Sequence, residues 1–295
     1  MGRRIVFCFE RKQKIMKILV TGHKGFIGSH MAQYLVHKGH EVEGFDYVEN
    51  VVPAVDQYDW VIHLGAISDT TERDVNKVWK HNYEFTLRLL QVCDHYSTNI
   101  QLASTAAVYG PNTAFNEQDP VYPQTPYAWS KYLIDKFLLD NGIDQFNALV
   151  QSYRYFNVYG PGEGHKGDQM SMVSKFQRQA SEDGKIKLFK NSKNYKRDLV
   201  CVYDVVRIHE EMLHQDTSGL YNLGTAKAVD IESVAKSIAE NTGAEIEYID
   251  MPDKLKNQYQ EYTCADNAKL HNTIPIRHWI TVEEYLKDIV HDRTT

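Results

Sequence analysis

The chain has 295 residues, 42% of them hydrophobic, and 39 acidic against 33 basic residues give a net charge of -6. That composition excludes disorder as the main state, argues against a nucleic-acid-binding surface, and allows one large domain or two small ones. Four cysteines (Cys8, Cys93, Cys201, Cys264) lie far apart with no C-x-x-C pair, so neither a disulfide framework nor a thiolate metal site is indicated and no metal is expected.

Residues 1–15 carry Arg3, Arg4, Arg11, Lys12 and Lys14 and read as an N-terminal extension, a solvated tail in preference to a basic docking arm. The apolar run Ile5–Phe9 is too short for a membrane span or a secretion signal, so a cytoplasmic protein without membrane contact is expected. At Met16 the sequence restarts as a first strand. Strands are predicted near 17–21, 42–46, 59–64, 99–104 and 148–153, with helices near 26–38, 80–96 and 127–141. That alternation predicts an α/β fold with a parallel sheet covered on both faces. Past residue 160 the rhythm changes at Gly160-Pro161-Gly162-Glu163-Gly164, and a helix is predicted near 170–183. Residues 16–160 are therefore read as one domain. Residues 161–295 are read mainly as a smaller α/β cap, with some segments returning to the first domain.

The first strand runs into Gly22-His23-Lys24-Gly25-Phe26-Ile27-Gly28. Three glycines at a strand-to-helix turn let the backbone approach a pyrophosphate, and the helix amides and dipole then face the phosphates. This makes residues 16–160 an NAD(P)-binding domain and the fold a Rossmann-like doubly wound parallel sheet. Asp46 closes the second strand 18 residues past Gly28, near the distance at which a carboxylate holds a ribose diol. Between Glu43 and Glu72 there is no Lys or Arg, while Asp46, Glu49, Asp56 and Asp59 are acidic. Local charge thus favours NAD over NADP, whose 2′-phosphate needs a cation. Only 12 residues separate Asp46 from Asp59, barely enough for a parallel crossover, so an irregular connection is expected.

A strand ending Ser104-Thr105-Ala106-Ala107-Val108-Tyr109-Gly110 is followed by Tyr127-Ala128-Trp129-Ser130-Lys131. The spacing of four puts Tyr127 and Lys131 on one helical face. A tyrosine that titrates near 10 accepts a proton at neutral pH only where something favours the phenolate, and an adjacent ammonium does so. Thr105 is placed to donate or relay a hydrogen bond to the same hydroxyl. Arg197 offers a planar cation suited to a diphosphate, with an ordinary salt bridge to Asp198 as the alternative. His165 lacks a second ligand at metal spacing and is read as structural.

These features resemble the extended short-chain dehydrogenase/reductase superfamily, in its nucleotide-sugar epimerase branch, from Met16 to the C-terminus. Within that branch the likeness is to the ADP-glycero-manno-heptose 6-epimerase family. It rests on residues 65–72 (G-A-I-S-D-T-T-E), residues 154–167 (R-Y-F-N-V-Y-G-P-G-E-G-H-K-G), the span from Lys187-Leu188-Phe189 to Lys196-Arg197-Asp198, and Pro252-Asp253-Lys254-Leu255-Lys256 with Tyr259-Gln260. The G-E-G-H-K-G continuation is the most specific of these.

The resemblance implies that Tyr127 and Lys166 are two opposed proton-transfer groups, with Lys131 and Thr105 supporting Tyr127. It implies cofactor contacts at Gly22, Gly25, Phe26, Ile27, Gly28, Asp46, Leu64, Gly65, Ala66, Ser68, Tyr127, Lys131 and Val158. Asn82 is implied to serve the same site by steadying the active-site helix. Asn157, Phe189, Ser192, Arg197 and Tyr259 are implied to hold a nucleotide-diphosphate sugar. The family pattern favours NADP where local charge favours NAD. A homo-oligomer is the expected assembly.

The implied reaction is epimerisation through a transient keto-sugar, for which two proton-transfer groups on opposite sides are suited. A UDP-hexose 4-epimerase is the enzymatic alternative. A 4,6-dehydratase is disfavoured because Ala106-Ala107 follow Thr105 where a carboxylate pair would be needed. A non-catalytic dinucleotide-binding module has no reason to keep Tyr127, Lys131 and Lys166 together.

Overall fold

The structure, a computed structural model, describes residues 14–111, 115–253 and 260–292. Its centre is a six-stranded parallel sheet of β1 (Lys17–Thr21), β2 (Glu41–Phe45), β3 (Trp60–His63), β4 (Asn99–Thr105), β5 (Val150–Tyr155) and β9 (Gly219–Leu223), ordered β2-β1-β3-β4-β5-β9. All five neighbouring pairs are parallel. β9 lies far along the chain, so a segment past residue 160 returns to complete this sheet. The order reverses between β1 and β3, and in such sheets ligands bind outside the carboxyl ends of the strands at the reversal.

The period of two along the strands explains why both sheet faces are covered. Ile18 and Val20 of β1 and Trp60 and Ile62 of β3 pack against Met31 and Leu35 of α1 (Phe26–His37) and Val206 of α6 (Val202–Met212). Leu19, Val61, Ile100 and Leu102 point the other way. They pack on Leu89, Leu90 and Cys93 of α3 (Phe85–Tyr96) and on Ile134 and Leu138 of α4 (Pro126–Asp140). Before α3 the chain runs through one turn, α2 (Val75–Val78), and a wider π-helical turn, Trp79–Glu84. The helix predicted over 80–96 is thus two geometries joined end to end. The predicted irregular connection after Asp46 is observed as a loop with a single bridge, Val48 to Val51.

The remaining elements cluster around β8 (Lys196–Cys201), which pairs with β10 (Ala228–Asp230), β12 (Tyr262–Thr263) and β6 (Asn157–Tyr159). β7 (Lys185–Phe189) and β11 (Glu245–Ile249) form a separate parallel pair. A second core gathers Val173, Phe176 and Ala180 of α5 (Met172–Asp183), Ile231, Val234 and Ile238 of α7 (Ile231–Thr242), Leu199 and Cys201 of β8, and Tyr285 and Leu286 of the last helix. Among the described residues no helix is long and apolar enough to cross a membrane, and Cys93, Cys201 and Cys264 form no disulfide with one another.

Candidate active site

The glycine turn is built so tightly that two of its glycines admit no side chain. Gly22 has φ +69°, and a Cβ there would lie 2.6 Å from the Gly65 Cα. A Cβ on Gly28 would stand 2.0 Å from the Gly22 carbonyl oxygen. The amide of Gly25 donates to that same carbonyl at 2.9 Å, which folds the turn into the start of α1. This close approach leaves a cavity of about 250 Å³ at the reversal between β1 and β3, lined by Thr21, Gly22, Gly25, Asp46, Leu64 and Gly65 among others. Behind it the His63 ring lies 2.6 Å from Thr21 Oγ1 and 2.8 Å from Thr86 Oγ1. Burial, with Lys131 adding to it, holds this histidine down to about 3, so it stays neutral.

Asp46 sits one residue beyond β2, on the rim of this cavity. Charge around it differs from the sequence expectation. Lys24 Nζ stands 3.2 Å from one carboxylate oxygen and His23 Nδ1 3.6 Å from the other, and Lys80 reaches Glu49 at 3.6 Å. The acidic stretch is therefore partly neutralised from the glycine turn and from the π-helical turn, neither of which is near in sequence. Tyr47 stacks on His81 with ring centroids 3.6 Å apart, and both line the cavity. Ile27, Leu64 and Val158 pack with Ala103 against the buried cluster that holds Tyr153 and Tyr155, forming an apolar wall.

Asn82 lies behind the cavity and does not line it. Fully buried, it accepts from the Ile67 amide at 2.8 Å and donates to the Ile67 carbonyl at 2.9 Å and to Ser130 Oγ at 3.1 Å. It ties the 64–68 segment, with Ala66, Ile67 and Ser68, to α4.

At the carboxyl end of β4, Thr105 accepts from the Ala107 amide at 3.2 Å and shares a hydrogen bond with the hydroxyl of Tyr127. Thr125 caps α4 by accepting from Ala128 N, and Pro126 occupies the first turn where its missing N–H costs nothing. Tyr127 and Lys131 follow on one face. Burial pushes the Tyr127 phenol up, and its bond to Thr105 pulls it down. Burial brings the Lys131 amine down to about 8 against the pull of Asp135, which leaves roughly nine-tenths of it cationic at pH 7.

One turn further along the same face, Asp135 is buried and accepts from Ser104 Oγ at 2.9 Å, Ser152 Oγ at 3.3 Å and Arg154 Nε at 2.9 Å. Arg154 in turn donates to the Tyr109 hydroxyl at 3.0 Å. This network locks α4 to β4 and β5 immediately beneath Thr105 and Tyr127. Its signals in the sequence are an acid four residues past Lys131, beside Ile134, and the arginine that opens R-Y-F-N-V-Y-G-P.

Lys166 lies on the 163–169 loop, 4.2 Å above the Phe26 ring and 3.4 Å from Glu163 Oε2, so it is fastened to the first residue of α1. The groups expected to hold a sugar nucleotide are more dispersed. Asn157 Nδ2 donates to the Asp198 carbonyl at 2.9 Å and to Thr263 Oγ1 at 3.2 Å. Ser192 donates to the carbonyl of Phe189 within its own turn. Arg197 donates to the Lys196 carbonyl at 2.9 Å. Asp198, its expected alternative partner, accepts from Thr225 N, Thr225 Oγ1, Ala226 N and Ala265 N, which fills both oxygens. Tyr259 lies outside the described residues.

Among the described residues the one cluster with metal-ligand spacing is His40, Glu210 and His214. It stands at the amino end of the sheet, away from the cavity. The Met16 amide donates to His40 Nδ1 at 3.2 Å, which puts the ring proton on Nε2, the nitrogen facing Glu210 at 3.8 Å. His40 thus offers no lone pair to a metal there.

The model of a family described as NAD dependent epimerase/dehydratase matches residues 18–224. Three solved structures are similar over nearly the whole chain. ADP-L-glycero-D-manno-heptose-6-epimerase of Helicobacter pylori is 25% identical, with 95% of this chain and 97% of that one covered and a TM-score of 0.80. UDP-glucose 4-epimerase of Thermotoga maritima is also 25% identical, with 95% and 100% covered and a TM-score of 0.80. UDP-glucose 4-epimerase of Thermus thermophilus, in complex with NAD, is 26% identical, with 94% and 99% covered and a TM-score of 0.74.

Proposed function

The chain belongs to the NAD dependent epimerase/dehydratase family, and within it we propose a nucleotide-sugar epimerase of the ADP-heptose 6-epimerase kind. The observation that carries this reading is the placement of Tyr127 and Lys131 one turn apart on α4, with Thr105 at the end of β4 drawing the Tyr127 phenol down against burial. The G-E-G-H-K-G loop that bears Lys166 favours the heptose substrate.

The glycine cradle fits a dinucleotide, since the space that a Cβ would fill at Gly22 and Gly28 is where the backbone must come close to a pyrophosphate. Gly22, Gly25, Phe26, Ile27 and Gly28 hold that group, Asp46 takes the ribose diol, and Leu64, Gly65, Ala66, Ser68 and Val158 line the remainder. When bound, the nicotinamide supplies a reversible hydride acceptor, so the sugar carbon is oxidised and reduced again without an external oxidant.

Tyr127 would take the hydroxyl proton at its phenolic oxygen during the oxidation of the sugar carbon. Thr105 orients that oxygen, and the Lys131 ammonium favours the phenolate against the upward push of burial. The resulting ketone then presents its other face. As the carbon is reduced on that face, the Lys166 ammonium would give its proton to the oxygen. Proton exchange with solvent restores both groups. Arg197 serves the diphosphate as a permanent cation, and Asn157, Phe189, Ser192 and Tyr259 position the sugar nucleotide.

A UDP-hexose 4-epimerase is the second reading, favoured by Asp46 at the ribose position, where a carboxylate opposes a 2′-phosphate. Incubating the protein with ADP-heptose and separately with UDP-glucose, and following sugar stereochemistry by NMR, separates the two. Inversion of the heptose supports the first reading, and turnover of the UDP-hexose alone transfers the assignment to the second.

A further inference from the structure

Glu163 is 2% exposed, yet its carboxylate is surrounded by donors. Oε1 accepts from Ser171 Oγ and Ser174 Oγ, both at 2.7 Å, and from Gly160 N at 3.3 Å. Oε2 accepts from Ser171 N at 2.7 Å and from Lys166 Nζ at 3.4 Å. The neutral donors come from the two ends of one loop, residue 160 on one side and 171 and 174 on the other, so a single carboxylate closes the loop on itself. Gly162 at φ +89° and Gly167 at φ +53° provide the sharp turns in between. A buried carboxylate needs a counter-charge as well as hydrogen bonds, and Lys166 provides it.

The amine is held from its other side by the Phe26 ring, over which it stands at 4.2 Å. The two nearest histidines on the loop and on α1 bond to backbone carbonyls. His165 Nδ1 lies 3.1 Å from the Gly162 carbonyl, and His30 Nε2 lies 2.9 Å from the Pro161 carbonyl. Glu163 is the charged group that acts on Lys166, and it favours the ammonium while burial opposes it.

We propose that Glu163 is a positioning residue: its buried carboxylate fixes the 160–171 loop and, through one ion pair, aims the Lys166 amine across Phe26 and keeps it cationic. The proposal rests on the proton-transfer role read for Lys166 above, and it gives a neighbouring acid, absent from that assignment, control over when Lys166 can serve as an acid.

The test reads Lys166 directly. Competitive acylation of the intact protein across pH, quantified at Lys166 by mass spectrometry, gives the midpoint at which its amine becomes reactive. Glu163→Gln removes the charge and leaves burial unopposed, so the midpoint is expected to fall by about one to three pH units, while that of Lys131 stays fixed. The basic limb of kcat/KM is expected to move down with it. Ser174→Ala removes a donor and no charge, so the Lys166 midpoint should not move. An unchanged Lys166 midpoint in folded Glu163→Gln overturns the proposal. Should that variant not fold, Glu163→Asp, whose carboxylate withdraws by one methylene, is expected to give a smaller downward shift, and no shift there overturns it equally. Full turnover by Lys166→Ala would remove the proton-transfer role of Lys166 but leave the labelling outcome to decide the claim about Glu163.

Discussion

Asn82 binds both sides of Ile67, accepting from its amide at 2.8 Å and donating to its carbonyl at 2.9 Å. The same amide group reaches Ser130 on α4, so one buried side chain sets the distance between a cavity wall and the helix carrying Tyr127. Asn82→Ala leaves the Ile67 backbone groups without their partner, at about 1–3 kcal/mol for each group that stays buried and unpaired. We expect a lowered melting temperature together with at least a tenfold weaker affinity for NAD, measured by thermal denaturation and fluorescence titration.

Tyr127→Phe keeps the ring and removes the hydroxyl proposed to accept the proton. Turnover is expected to fall by about a hundredfold to ten-thousandfold, the usual range for a lost acid–base group, while the dissociation constant for NAD changes less than twofold. Steady-state kinetics and equilibrium binding check the two halves separately.

Lys131 is held at about 8, down from 10.5, chiefly by burial. Because its folded-state pKa is the lower one, the unfolded chain binds more protons between pH 8 and 10.5, and this group makes stability rise with pH through that window. Below pH 8 the whole cost is present, roughly 3 kcal/mol at 1.36 kcal/mol per unit. Lys131→Met should therefore raise stability at pH 7 by up to about that amount and flatten the rise between pH 8 and 10.5, with turnover lost. Chemical denaturation over a pH series measures it.

Asp46 faces Lys24 at 3.2 Å, so this rim of the cavity holds a cation as well as a carboxylate. Asp46→Asn removes the proposed partner of the ribose diol and releases Lys24 from its ion pair. NAD affinity is expected to fall about tenfold and NADP affinity to rise, as read by titrating both cofactors into the wild type and the variant.

Much of the nucleotide-binding half is visible in its residues, because strands of a parallel sheet carry their burial in alternation. Ile18 and Val20 against Leu19 in β1 mark the two faces, and the three glycines mark a turn that the structure shows to have no room for a Cβ at two of them. What stayed hidden depends on distance along the chain. Lys24 meets Asp46 only because β1 and β2 pair in parallel, with Thr21 beside Phe45. The Asp135–Arg154 pair needs α4 docked across β4 and β5 before it exists. The wider turn at 79–84 is indistinguishable by hydrophobic period from the helix that follows, yet it carries Asn82 inward. β9 (G-L-Y-N-L) carries too short and mixed a pattern to mark a strand, and nothing local shows that it completes the first sheet.

Transient oxidation is tested most directly by turnover in D2O with ADP-heptose and with UDP-glucose, reading both the configuration and the isotope at the inverted carbon by NMR. The account predicts an inverted product from one of these substrates that keeps its original carbon-bound hydrogen, with no net reduced cofactor, because hydride leaves and returns without exchanging with water. Deuterium at the inverted carbon, or no conversion of either nucleotide sugar by the cofactor-loaded protein, would contradict it.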